Sequence, residues 1–279
     1  LLSFTGNREV SVLGVNENNR AGAEKKDKGM KPPETTAEVI RALRRNYQDE
    51  VVARTYEEER DFREGDVSLH YETEVLALSE ALGGVRGEIL EVAVGTGRLC
   101  RRLRRFGGGY TGLDVSMQML SEAKKAISRD ANGPWLVRGD AFQLPFKDNH
   151  FEAVVGFRCI KHIGSDGRKV VYTELRRVLD DDGLLLFDFY GWRRRSEKKT
   201  DDERLTVGAL RSEVEENGFR LIKVYGTRHV VCDVVSVPFR WLKIRSGVRA
   251  AGWLGVKMLS PLDELFDRSR GGIAVCKKL

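Results

Sequence analysis

The sequence predicts an α/β protein: a doubly wound, mostly parallel seven-stranded sheet with an antiparallel last strand and a helical N-terminal preface. Three observations predict it. From Gly83-Gly84 onward, short apolar runs rich in β-branched residues alternate with amphipathic helical patterns, the signature of right-handed crossovers and a parallel sheet. The first apolar run breaks into Gly95-Thr96-Gly97, where glycine lets the backbone pass close to a ligand that a Cβ would exclude. The first three runs carry one acid each at or near their ends, Glu91, Asp114 and Asp140.

Taken in order, residues 1–35 mix Asn, Gly, Lys and Glu without periodicity and close on a proline pair, which predicts a disordered tail. Residues 36–82 read as a helical preface or lid, ending in the helix LHYETEVLALSEAL. Residues 83–279 form the main domain. Its strands are EILEVAV, GYTGLDV, WLVRGD, FEAVVGF and LLLFDFY, the fifth opened by a turn at Asp181-Asp182-Gly183. Between them lie the helices GRLCRRLRRF, stopped by Gly107-Gly108-Gly109, then SMQMLSEAKKAISRD with Ser116 as N-cap, and GRKVVYTELRRVL. The helix LTVGALRSEVEENGF follows, then strands LIKVYGTR and GGIAVCKKL, which are separated by an insert at 230–268 and are expected to run antiparallel.

Composition narrows the class. With 41% hydrophobic and 32% charged residues the chain has the balance of a soluble globular protein, and no apolar run approaches a membrane span. Cys100, Cys159, Cys232 and Cys276 form no metal-spaced pair, so no disulfide framework or metal site is expected, which fits a reducing, cytoplasmic setting. LLSFTGNREV lacks a basic n-region and a long apolar h-region, so no export signal is expected, and the true start is left open. A net charge of +6 leans toward anionic partners, but 42 acids interspersed with 48 bases weaken that signal.

The glycine turn is not a dinucleotide fingerprint. That register reads Gly95, Gly97, Cys100, without the third glycine, and Glu91 would repel a pyrophosphate. A cationic cofactor fits better. EVAVGTG, LDVSMQML and GDAFQLPFKDNHFEAVV, in that order, resemble the motifs of class I S-adenosylmethionine-dependent methyltransferases, in particular the ubiquinone/menaquinone-type group, over about positions 50–190. LRRVLDDDGLLLFDFY resembles a later segment of the same family.

The resemblance implies S-adenosylmethionine as cofactor and S-adenosylhomocysteine as product. It implies that Gly95, Thr96 and Gly97 contact the methionine and ribose, with Glu91 near the methionine amino end and Ala93 standing where the family most often has glycine. Asp114, followed by Val115, would accept the ribose hydroxyls. Asp140 and the Ala141 amide would meet adenine, Gly156 and Phe157 would line the cofactor near its sulfonium, and Tyr56 would close over it or pack between helices.

On the acceptor side, His162 in FRCIKHI is the candidate general base, needed only if the acceptor must lose a proton; the alternative is a polar residue at a helix start. Arg158 would bind an anionic group on the acceptor or pair with an acid; Asp188 and Tyr190 border the same mouth, and Arg193 in GWRRRSEKK would steer an anionic substrate. His70, His150 and His229 show no partner pattern. The expected function is methyl transfer to a small-molecule or lipid-like acceptor. RNA or protein methylation using the basic rim, and a non-catalytic cofactor-binding protein, stay open. Positions 237–259 mix aromatic and basic residues, which suits either an acceptor lid or peripheral contact with an anionic membrane.

Overall fold

The computed structural model describes residues 69–127, 135–191, 204–226, 237–238, 245–254, 257–258 and 271–279. The expected tail, most of the preface, Tyr56 and Arg193 lie outside these residues, as do parts of the insert.

Seven strands form one path, with a short eighth paired at its side. In chain order the elements are α1 (Leu69–Ala81), β1 (Glu88–Val92), α2 (Cys100–Leu103), β2 (Gly109–Asp114), α3 (Met117–Ile127), β3 (Trp135–Arg138) and β4 (Phe151–Gly156). They continue with α4 (Ser165–Val178), β5 (Leu179–Gly191), β6 (Arg204–Leu205), α5 (Val207–Glu216), β7 (Phe219–Gly226), α6 (Arg245–Leu254) and β8 (Gly271–Lys278). The sheet order is β3-β2-β1-β4-β5-β8-β7, with β6 against β5. All pairs are parallel except those of β8, which is antiparallel to both β5 and β7. The order reverses between β1 and β4, and a doubly wound sheet opens its ligand crevice at the carboxyl ends of such a pair.

Alternation along the buried strands supplies two cores. Leu90, Val154 and Leu185 face α4 and α5 through Tyr172, Leu175 and Leu210, while Ile89, Val155 and Leu186 face α1, α2 and α3 through Leu78, Leu103 and Ala123. Glu91, two residues from Ile89, shares the second face. A carboxylate is thereby built into an otherwise apolar layer.

Several boundaries differ from those the sequence predicts. The helix expected over GRLCRRLRRF is regular only at Cys100–Leu103, because Gly97 and Gly107, both at positive φ, pinch it from either side. The turn expected at Asp181-Asp182-Gly183 is a bulge inside β5: Phe151 pairs with Leu179 and Ala153 with Leu184, so the ladder resumes after the extra residues, and Asp182 takes the left-handed bend at φ 67°. Ser116 caps α3 as expected, its Oγ accepting from Met119 N at 3.2 Å, and Met117 in the first turn is exposed. α6 arises within the insert, where no helix was predicted. It packs against α1 so closely that a Cβ on Gly252 would stand 3.1 Å from Thr73 Oγ1.

Candidate functional site

The turn after β1 is held by its own backbone. Ala93 takes φ 59°, Val94 N donates to Leu113 O at 3.0 Å, and Gly97 N donates to Val94 O at 3.0 Å. The two glycines do different work. At Gly95, φ 56°, a Cβ would meet nothing within 4 Å, so the residue supplies a left-handed bend beside open space. At Gly97, φ 77°, a Cβ would stand 3.0 Å from Ile127 Cδ1 and 3.3 Å from Ala123 Cβ, so this glycine permits the close approach of α3. The packing role that a dinucleotide fingerprint gives to its third glycine is met here by the second, and Cys100 at the third place is fully buried.

Asp114 is locked in direction: Gly95 N donates to its Oδ2 and Ser116 N to its Oδ1, each at 2.9 Å. Each oxygen keeps a lone pair for a further donor. Burial pushes its pKa up to about 6, against the pull of those two amides. Asp140 follows β3 and forms a tight Asx-type turn, with Phe142 N donating to its Oδ1 at 2.9 Å. Ala141 and Val115 beside these acids are buried, and Arg138 Nε donates to Val115 O at 3.2 Å.

Glu91 accepts from the Tyr110 hydroxyl at 3.0 Å. Burial raises its pKa to about 8, and the nearby Asp114 charge adds to the rise, while the Tyr110 bond and Arg98 oppose it. The apolar layer thus works against the charged form of this carboxyl.

Across the crevice, β4 ends at Gly156 and leads through buried Phe157 to Arg158, whose backbone is left-handed at φ 56°. Arg158 N donates to Asp188 Oδ1 at 2.7 Å, and Asp188 Oδ2 is paired with Lys161 Nζ. Lys161 also lies 5.1 Å over the Tyr190 ring; burial lowers its pKa, and Asp188 opposes that. His162 ends a short 3₁₀ turn, Ile160–His162, with its ring edge-on to Tyr190 at 5.6 Å. The predicted acceptor residues Arg158, His162 and Tyr190 are therefore one cluster.

Glu74 of α1 reaches Arg158 from the opposite layer. It is fully buried, with Oε2 2.6 Å from Arg98 Nη2 and 3.7 Å from Arg158 Nη2, and Oε1 3.1 Å from His70 Nε2. Burial alone would raise its pKa, but His70, Arg98 and Arg158 hold it well below the usual range. Glu74, Arg98 and Lys161 were not singled out from sequence. The one local hint was three acids, Glu72, Glu74 and Glu80, on a helix that otherwise reads as core. His70 has a defined partner where none was expected.

Among the described residues no group of three or more His, Cys, Asp or Glu is placed to hold a metal. Residues 90–187 match a family described as a methyltransferase domain. The chain is 36% identical over 121 residues to a demethylmenaquinone methyltransferase of Tropheryma whipplei, covering 43% of this chain and 48% of that one. It is 31% identical over 158 residues to a sterol 24-C-methyltransferase of Gibberella zeae, covering 56% and 40%. It thus spans about half the length, or less, of these relatives. A similar solved fold is magnesium protoporphyrin IX methyltransferase from Synechocystis with bound S-adenosylmethionine, at TM-score 0.57 and 15% identity over 90% of this chain and all of that one; at that identity the likeness concerns the fold alone.

Proposed function

Since the chain carries a class I S-adenosylmethionine-dependent methyltransferase domain, we propose that it moves a methyl group from S-adenosylmethionine to a small-molecule or lipid-like acceptor. The observation that carries this reading is the set of three strand tips: Glu91, Asp114 and Asp140 are buried at consecutive tips around a left-handed turn that borders open space at Gly95.

In this reading Asp114, already oriented by two amides, accepts the ribose hydroxyls, and Asp140 with the Ala141 amide holds adenine. Glu91 receives the methionine ammonium, Gly95, Thr96 and Gly97 bring backbone against the methionine and ribose, and Gly156 with Phe157 borders the sulfonium. When bound, the cofactor would supply an already activated methyl group on its sulfonium, with S-adenosylhomocysteine as the product. The chain's own work is alignment and exclusion of water, and alignment can supply roughly 7–11 kcal/mol. His162, braced by Tyr190, takes a proton if the acceptor atom carries one.

Isothermal titration is the test. Wild type should bind S-adenosylmethionine, and Asp114→Ala should bind at least about 100-fold more weakly, since two charge-assisted hydrogen bonds are lost. Absence of wild-type binding, or an Asp114→Ala variant with unchanged affinity, would sink the assignment. His162→Gln should lower turnover at least about 100-fold if that side chain is the base; undiminished turnover assigns it a structural part.

The relatives named for demethylmenaquinone and sterol act on apolar acceptors, and the insert suits delivery from a lipid surface. From Val234 to Leu262 no Asp or Glu occurs, while Arg240, Lys243, Arg245, Arg249 and Lys257 do. Val237, Trp253 and Met258 are 56%, 52% and 59% exposed, which leaves apolar bulk beside cations, the composition of an interfacial contact. Among the described residues no helix is long and apolar enough to cross a membrane. Sedimentation with phosphatidylglycerol-containing vesicles but not with pure phosphatidylcholine, weakened by Trp253→Ala, is the expected result. Equal behaviour of the variant would remove the insert from this role.

A further inference from the structure

Among the described residues Glu74 is the most completely buried acid, and it meets cations from three separate places. His70 stands on its own helix, Arg98 directly follows the glycine turn that borders the cofactor half, and Arg158 directly follows Gly156 and Phe157 on the acceptor half. Arg98 is fixed further: its carbonyl accepts from the Tyr71 hydroxyl at 3.0 Å, and its guanidinium lies 4.4 Å over the Tyr71 ring. Arg158 is fixed at the other end by the hydrogen bond its backbone N–H donates to Asp188, which in turn holds Lys161. One carboxylate from α1 is thus the junction between two loops that otherwise belong to different sides of the switch point.

A buried carboxylate with this many partners cannot release one arginine without changing the pull on the other, because the low dielectric leaves its charge nowhere else to go. Two guanidinium groups this close repel, and the acid between them is what makes their proximity tolerable.

We propose that Glu74 is a positioning residue that holds Arg98 and Arg158 as a coupled pair, so that the cofactor turn and the acceptor loop take up their working geometry together. The proposal rests on the methyltransferase reading above. It assigns Glu74 no contact with the reacting atoms; it acts through the two arginines. Since α6 packs on α1 and Arg249 lies 3.4 Å from Glu72, the same helix also ties the insert to this junction.

The test is a double-mutant cycle read by titration with S-adenosylmethionine. Arg98→Gln and Arg158→Gln should each weaken binding, by about tenfold for a lost charge-assisted contact, and the double variant should lose clearly less than the product of the two. In a Glu74→Gln background, Arg158→Gln should have no further effect on cofactor affinity although it lies on the far side of the crevice. Additive losses, or a Glu74→Gln protein that binds as wild type does, overturn the proposal. If Glu74→Gln fails to fold, the arginine cycle alone decides it. Wild type that does not bind the cofactor brings down the methyltransferase reading and this one with it, whereas wild-type binding with additive arginines brings down only this one.

Discussion

The two sides of the crevice are built from different materials. On the β1–β2–β3 side, carboxylates are aimed by backbone amides a few residues away or across one strand: Ser116 N and Gly95 N at Asp114, Phe142 N at Asp140. On the β4–β5–α1 side, side chains are aimed by other side chains remote in sequence, as in Lys161 with Asp188 and Glu74 with Arg98 and Arg158. Backbone scaffolding is short-range and tolerant of changes elsewhere. Ion-pair scaffolding is long-range, and loss of one member leaves an uncompensated charge.

The largest effect expected from that difference is on stability at the ion-paired side. Lys161 and Asp188 are 11% and 7% exposed, so Lys161→Met should destabilise the fold by about 3–5 kcal/mol in urea unfolding, because Asp188 keeps its charge without its partner. A loss below about 1 kcal/mol, as for a surface pair, would erase the contrast.

Next comes the backbone-built side. Gly97→Val places a branched side chain at φ 77° against Ile127, and should lower stability by about 1–3 kcal/mol while displacing α3. Gly95→Ala meets open space and suffers only the unfavourable φ, so thermal unfolding should rank it well above Gly97→Val. Equal losses would mean that the two glycines share one role.

A third difference lies in pH dependence. Glu91 is raised to about 8, above its unfolded value, so the folded chain retains a proton that the unfolded chain releases. The stability this confers is full below about pH 4.5 and is lost as pH rises through about 8. Glu91→Gln, which keeps an acceptor for Tyr110, should therefore be more stable than wild type at pH 8 and lose that advantage near pH 4. Cofactor affinity of wild type should rise between pH 6 and 8 as Glu91 becomes ready to ionise, by up to about tenfold per pH unit; titration in buffers of different ionisation enthalpy should show proton release, and Glu91→Gln should show neither.

The same contrast explains what was legible in the sequence. Gly95-Thr96-Gly97, Asp114 and Asp140 stood out because a glycine turn and acids at the ends of apolar runs are visible in the local sequence, and Ser116 was readable as a cap for the same reason. The sheet was readable from its alternation, including the antiparallel β8. Glu74, Arg98 and Lys161 were not, since an acid in a core-type helix gains meaning only when residues 24 and 84 positions later fold back onto it. The bulge at Asp182 looked like a turn because Asp-Asp-Gly is the same local chemistry in both; only the pairing of Phe151 with Leu179 decides between them. α6 was hidden because β-branched, aromatic and glycine residues give it weak intrinsic propensity, and its packing on α1 through Val248, Ala251 and Gly252 supplies the rest.

β8 lies between β5 and β7. During synthesis on the ribosome, β5 and β7 both emerge before the strand that joins them, and each waits with an open hydrogen-bonding edge while the insert is made. The antiparallel pair that supports Asp188, through its register with Ile273, closes only after that delay. The strand that backs Asp188 is thus added after the ion pairs themselves have been synthesised, and a slow or interrupted translation before β8 would expose the β5 and β7 edges to other chains.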